Sequence, residues 1–151
     1  MNSNELWTAI YDIGYKKGVE TLSFEQQQLW YYIDFTIYVD NGGASGFVYN
    51  KSPDINGTTH FSPYLKSWRF FNYNTLADLV ERYNDQFLKA LQAFKQNEKI
   101  DFKEHSDRFG LPEIEKQIEP YINEVNRSSA NVWAWINQDI DKLNEQVKLL
   151  L

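Results

Sequence analysis

Residues 31–50 read YYIDFTIYVDNGGASGFVYN. The first ten alternate: Tyr31, Ile33, Phe35, Ile37 and Val39 stand against Tyr32, Asp34, Thr36, Tyr38 and Asp40, and an Asn-Gly pair follows. Local rules read this as a β-hairpin. The second strand argues otherwise. A hairpin turning on Asn41-Gly42 sets Val39 against Ala44 and Ile37 against Gly46, which gives little cross-strand packing. As a helix, the segment carries a seam of Gln27, Tyr31, Asp34, Tyr38 and Asn41, spaced four, three, four, three. Every seam residue has polar atoms, while Leu29, Trp30, Ile33, Phe35, Ile37 and Val39 occupy the other faces. That composition suits a largely buried helix with one semi-polar edge. Ser23 and Gln26 upstream form a capping-box pattern, a helix start signal. Asn41-Gly42-Gly43 then becomes a helix stop in the left-handed conformation, and residues 44–50 a short second helix.

The rest of the chain fits a helical frame. Residues 5–18 carry a stripe of Leu6, Ala9, Ile10 and Ile13 ended by Gly18. Residues 51–59 form a turn-rich connector with Ser52-Pro53 and Asn56-Gly57. Ser62 reads as a cap with Pro63 at the first helical position, opening a helix through Tyr64, Leu65, Trp68 and Phe71. Asn74 or Thr75 restarts the chain as a long helix to about residue 97. Residues 98–110 are polar, and 111–125 are helical, with Pro120 expected to kink or divide them. Ser128 or Ser129 caps a last helix with a coiled-coil type of seam: Trp133, Ile136, Ile140, Leu143, Val147 and Leu150. So short a seam is expected to dock on its own domain, the alternative being a homodimer contact. Trp135 lies off the seam and either packs on a neighbouring helix or anchors a partner. The expected fold is all-α: one compact helical domain of six to eight helices over residues 1–127. An added C-terminal helix, residues 128–151, docks on that domain or sits at a dimer interface.

Composition narrows the function. Among 151 residues, 42% are hydrophobic and 17% aromatic, enough for a substantial core. The absence of cysteine excludes disulfides and thiol catalysis. No apolar run reaches the ~18 residues of a membrane span. The first residues place an acid before their apolar positions and lack a basic segment, so no secretory signal is read and the cytoplasm is expected. Fifteen basic residues against twenty-one acidic ones give a net charge of −6. A direct nucleic-acid binder needs a basic footprint, and none is visible.

Chemical motifs are sparse. The two histidines, His60 and His105, lack a second ligand at metal spacing. NGGASGF has neither the dinucleotide-binding spacing nor the ending of a P-loop, and Ser45 is not in a nucleophile elbow. Asp34, Asp40 and Glu81, lying in apolar helices beside tyrosines and His60, are the residues a small-molecule hydrolase would use, because burial shifts carboxylate pKa. Asp101, Glu104, Asp107, Glu113, Glu115, Glu119 and Glu124 form an acid-rich segment. Glu115 and Glu119 repel at i,i+4, so the arrangement is no stability device. It reads as a solvated acidic face or a partner-binding surface.

The string LWYYIDFTIYVDNGGASGFVYNKSPD resembles the signature of the DNA mimic protein 19 family, with its elements at Asn41, Gly42, Gly43, Phe47, Tyr49, Asn50, Ser52 and Asp54. YLKSWRFFNYNTLADLVERYNDQF is similar to that family's next helix pair, and HSDRF and PYINEVN to its C-terminal elements. The resemblance covers roughly residues 5–126. Ala44 stands where an aromatic is usual, Lys51-Ser52-Pro53 replaces a Ser/Gly turn, and the last helix reads as an addition. The resemblance implies an all-helical fold, no catalytic residues and no cofactor. In one branch it implies an acidic surface that imitates duplex DNA. The partner would then be a basic protein: a DNA-binding protein or nuclease that the chain sequesters, or a toxin or defence effector that it neutralises. The acid-rich segment is the surface assigned to that partner.

Overall fold

The computed structural model describes residues 1–151 and is all-α, with eight α-helices and no strand. In chain order they are α1 (Ser3–Lys17), α2 (Phe24–Lys51), α3 (Ser62–Phe70), α4 (Asn74–Gln96), α5 (Phe102–Arg108), α6 (Leu111–Ser128), α7 (Ala130–Gln138) and α8 (Ile140–Leu150), with a 3-10 turn (Val19–Thr21) between α1 and α2. The residues that looked like a hairpin lie in α2. Ser23 caps it: its Oγ accepts from the Gln26 N–H at 3.3 Å, and the Gln26 side chain accepts from the Ser23 N–H at 3.0 Å. The helix stop is narrower than the Asn-Gly-Gly string suggests. Only Gly43 leaves helical geometry, at φ 74°, ψ 174°, an extended conformation and not the left-handed helical one, and the helix then resumes.

α2 forms the centre, with α1, α3 and α6 packed around it. Tyr32, Phe35 and Phe47 on α2 are fully buried, as are Phe61 and Trp68. Phe35 meets Phe47 and Trp68 edge-on at 5.2 and 5.3 Å between ring centres. Each such side chain contributes ~1.5–3 kcal/mol by leaving water. α1 crosses α2 where Gly14 lets Trp30 approach: a Cβ on Gly14 would lie 2.4 Å from the indole. α4 and α5 flank α6, and α7 and α8 close over α1.

Three local expectations need correction. α3 begins one residue earlier than a Ser62 cap requires. Phe61 is the capping residue, Ser62 is already helical, and no side chain caps the end. Phe61 is fully buried, and its anchoring sets the start. Pro120 does not divide α6, which runs unbroken from Leu111 to Ser128. It is exposed on the outer side, so the carbonyl it leaves free four residues back can reach water. The last helix is two helices, separated at Asp139 (φ −112°, ψ 23°). Ser129 stands at the α6–α7 junction in the left-handed region, φ 45°. Its hydroxyl does not cap α7. It bonds the Tyr32 hydroxyl at 2.6 Å, and that hydroxyl also donates to the Val125 carbonyl at 2.8 Å.

The C-terminal seam turns inward. Ile136, Leu143 and Val147 are buried, and Trp133 stacks on Trp7 of α1 at 4.8 Å. Trp135 is half-buried, edge-on to Phe70 and Phe71 at 5.7 and 5.6 Å. No helix is long and apolar enough to cross a membrane.

Candidate functional site

The acid-rich segment folds into α5, the α5–α6 turn and α6. Asp101 is the cap of α5, accepting from the Glu104 N–H at 2.9 Å. Glu104 pairs with Arg108 one turn on, at 3.1 Å. α5 is anchored from inside by buried His105, whose Nε2 lies 3.1 Å from the Asn97 carbonyl. Asp107 is exposed at the end of α5, and Glu113 is exposed in the first turn of α6. There the free N–H groups of the helix favour a negative charge.

On α6 the buried stripe is Leu111, Ile114, Ile118, Ile122 and Val125. At about 3.6 residues per turn the acids fall on both sides of it. Glu115 and Glu119 share one flank, toward α2. Glu119 accepts from the Ser45 hydroxyl at 2.7 Å, and Asn126 on the same flank donates to Asp40 at 2.9 Å. Burial, then the neighbouring Glu119 charge, push the Glu115 carboxyl above the usual carboxylate range. Glu113 and Glu124 lie on the other flank. Lys116 and Arg127 occupy the ridge between, and with Glu119, Pro120, Asn123 and Glu124 they line an open cleft of about 570 Å³.

The segment is therefore not one uninterrupted acidic face. Two acids are half-buried toward α2, one is an ion-pair partner, and one is a cap. Asp107, Glu113 and Glu124 remain exposed, with no basic side chain in ion-pair contact. The first two flank the short α5–α6 turn. Glu124 stands three turns further on, about 16 Å along the axis at 1.5 Å per residue.

The residues a hydrolase would use are dispersed. Asp34 is half-buried and both its oxygens are taken: Oδ2 accepts from the Tyr64 hydroxyl at 2.6 Å and Oδ1 from Tyr11 at 3.3 Å. Burial first, and the Asp34 interaction second, push the Tyr64 and Tyr11 hydroxyls above the usual tyrosine range. The Lys51 ammonium lies over the Tyr38 and Tyr64 rings at 4.4 and 5.1 Å. Asp40 is exposed, and Glu81 is tied to Arg69 at 2.7 Å, which also holds Asp78 at 2.9 Å. His60 lies apart, 3.8 Å from Asp54. No three His, Asp or Glu side chains converge in metal-holding geometry. The Tyr11–Asp34–Tyr64 network was not foreseen. Its signal was the polar seam of α2, where Asp34 is the one acid between tyrosines, but the partners come from α1 and α3.

A family model described as DMP19-like protein matches residues 20–149. The match takes in α7 and α8 and begins after α1, whereas the resemblance read from the sequence stopped near residue 126. No curated protein and no solved structure matches the chain.

Proposed function

This chain belongs to the DMP19-like protein family, and from that premise we propose that it is a non-catalytic module that binds a basic protein surface and so sequesters or inhibits a nucleic-acid-binding protein. The observation that carries the reading is the set of free carboxylates at the α5–α6 surface: Asp107, Glu113 and Glu124, exposed and without a cation of their own. Charges left solvated in the free protein suit pairing with a partner's lysines and arginines, with faster association and a choice of partner as the gain. Asp101 and Glu104 border this surface. Glu115 and Glu119 face α2 and serve it from behind.

The spacing also sets the style of binding. Duplex DNA places a charge about every 1.7 Å of axis. Glu113 and Glu124 stand about 16 Å apart on their flank, with the Lys116–Arg127 ridge beside them. That supports discrete ion pairing with a basic patch in preference to imitation of a continuous phosphate row. The non-catalytic part of the reading is supported by acids of α2 and α4: both oxygens of Asp34 and one of Glu81 already accept from donors of this chain.

The test is capture of partners on the immobilised chain at low and high salt, with identification by mass spectrometry. The expected partners are basic, nucleic-acid-binding proteins whose retention falls steeply with salt. Asp107→Asn combined with Glu113→Gln and Glu124→Gln is expected to lose them. Retention that ignores salt, or partners that are neither basic nor nucleic-acid-binding, overturns the reading.

A further inference from the structure

A second surface lies on α1, remote in sequence from the acid-rich segment. A cleft of about 660 Å³ runs along this helix, with Ala9 and Ile13 in its lining and Leu150 of α8 at its edge. Next to Leu150 in the same lining, Leu151 is 76% exposed. The charged residues of the same lining are ordered along α1. Glu5 and Asp12 come first, Lys16 and Lys17 last. Lys17 reaches back to the Leu150 carbonyl. Asp12 and Lys16 are at i,i+4 and yet form no ion pair with each other or with any other side chain.

The helix dipole accounts for acids at the start of a helix and bases at its end. It does not account for an open, mainly apolar cleft between them or for an exposed leucine at its margin. A second copy of this chain does. In a two-fold arrangement every contact occurs twice, so the surface must be complementary to itself. When α1 meets α1 of another copy head to tail, the Glu5–Asp12 half of each lies against the Lys16–Lys17 half of the other. A parallel arrangement sets like on like. The geometry points to a homodimer built on antiparallel α1 helices, with Leu151 of each copy covering apolar wall of the other's cleft. This goes beyond the proposed partner-binding reading and does not rest on it.

Sedimentation equilibrium of the full chain over a concentration series tests it. The expected mass rises from 17.9 kDa toward twice that value, and more salt shifts the series back toward the single chain. Lys16→Glu with Lys17→Glu is expected to return the single-chain mass, as is Asp12→Lys with Thr8→Lys. Mixing the two variants, each checked for helicity by circular dichroism, is expected to restore the double mass. A native chain that stays at the single mass up to its solubility limit overturns the proposal. So do variants that still dimerise alone, or a mixture that stays at the single mass.

Discussion

Along α2, buried residues spread over a broad arc: Gln26, Gln28, Leu29, Tyr32, Ile33, Phe35, Thr36, Val39, Ala44, Phe47 and Val48. Along α6 they keep to one stripe of five. The two helices pack on each other, so they share an environment on one side only. α2 also packs against α1 and α3, while α6 turns a charged ridge to water. A helix buried over a broad arc has less freedom to vary there and less surface with which to act. A helix enclosed on one stripe carries the fold there and is free elsewhere. This contrast assigns stability to α2 and the proposed contacts to α6, and it can be broken by substitution.

The largest expected effect is on α2. Phe35→Ala removes a fully buried ring held by Phe47 and Trp68. Chemical denaturation should show a loss of about 3–5 kcal/mol. A loss below ~1 kcal/mol would mean that the surroundings collapse into the gap, which close packing on all sides forbids.

Next comes a pair of opposite sign within α2. Gly43→Ala forces a Cβ into a backbone region that glycine alone adopts readily, at a cost of about 1–3 kcal/mol. At Gly42 a Cβ would meet nothing within 4 Å, and φ is not positive. Gly42→Ala should therefore stabilise, by ~0.5–1 kcal/mol through the unfolded chain. If both destabilise alike, the break in α2 spans more than one residue.

The tyrosines extend the contrast to pH. Burial, with Asp34 added at Tyr64, raises the hydroxyls of Tyr32, Tyr64 and Tyr83 above the ordinary value of 10.0. The unfolded chain then ionises first, so stability is fully present below about pH 10 and falls as pH rises further. Tyr64→Phe also leaves Asp34 Oδ2 without its donor, at a cost of ~1–3 kcal/mol. The same variant should flatten the alkaline fall in stability followed by circular dichroism. An unchanged alkaline slope would show that Tyr64 already ionises freely in the folded chain.

These features were unequally legible in the sequence. The Ser23–Gln26 cap and the poor strand partners Ala44 and Gly46 are local, and they were enough to read α2 as a helix. The inward turn of Ile136, Leu143 and Val147 follows from their spacing, but the neighbour that receives them, α1, does not. The break at Asp139 was hidden because the apolar spacing continues across it. That Pro120 does not divide its helix depends on its facing solvent, which composition alone does not reveal. At the candidate site the residue types were visible and their company was not. Ser45 engages Glu119 from 74 residues away, and Asp40 engages Asn126 from 86. Contacts at that separation are set by packing, so a run of seven acids in sequence could not show that only three stay free.

On α6 the effects shrink. Glu115 is half-buried beside Glu119, and its carboxyl is raised above 4.5 by burial and by that neighbour. The folded state therefore holds this proton where the unfolded chain has lost it. The penalty is absent below the unfolded value and appears as pH rises through the folded one. Glu115→Gln should stabilise at pH 7 by a few tenths of a kcal/mol, the scale of a solvated like-charge pair. The gain should vanish below about pH 4, where both states hold the proton.

The smallest effect tests the contrast most sharply. Asp107, Glu113 and Glu124 touch no cation, and their neutral replacements by Asn, Gln and Gln keep size and shape. Only Glu113, in the first turn of α6, has a favourable helix-terminal charge to lose, ~0.3–1 kcal/mol at low salt. Relief of net negative charge works the other way. The triple variant should unfold within about 0.5 kcal/mol of the native chain, the range of surface changes away from caps and cores. A loss of several kcal/mol would show that these carboxylates hold the α5–α6 turn together, and the free-charge argument for a partner would go with it. Unchanged stability together with lost salt-sensitive capture separates the helix that keeps the fold from the helix that meets the partner.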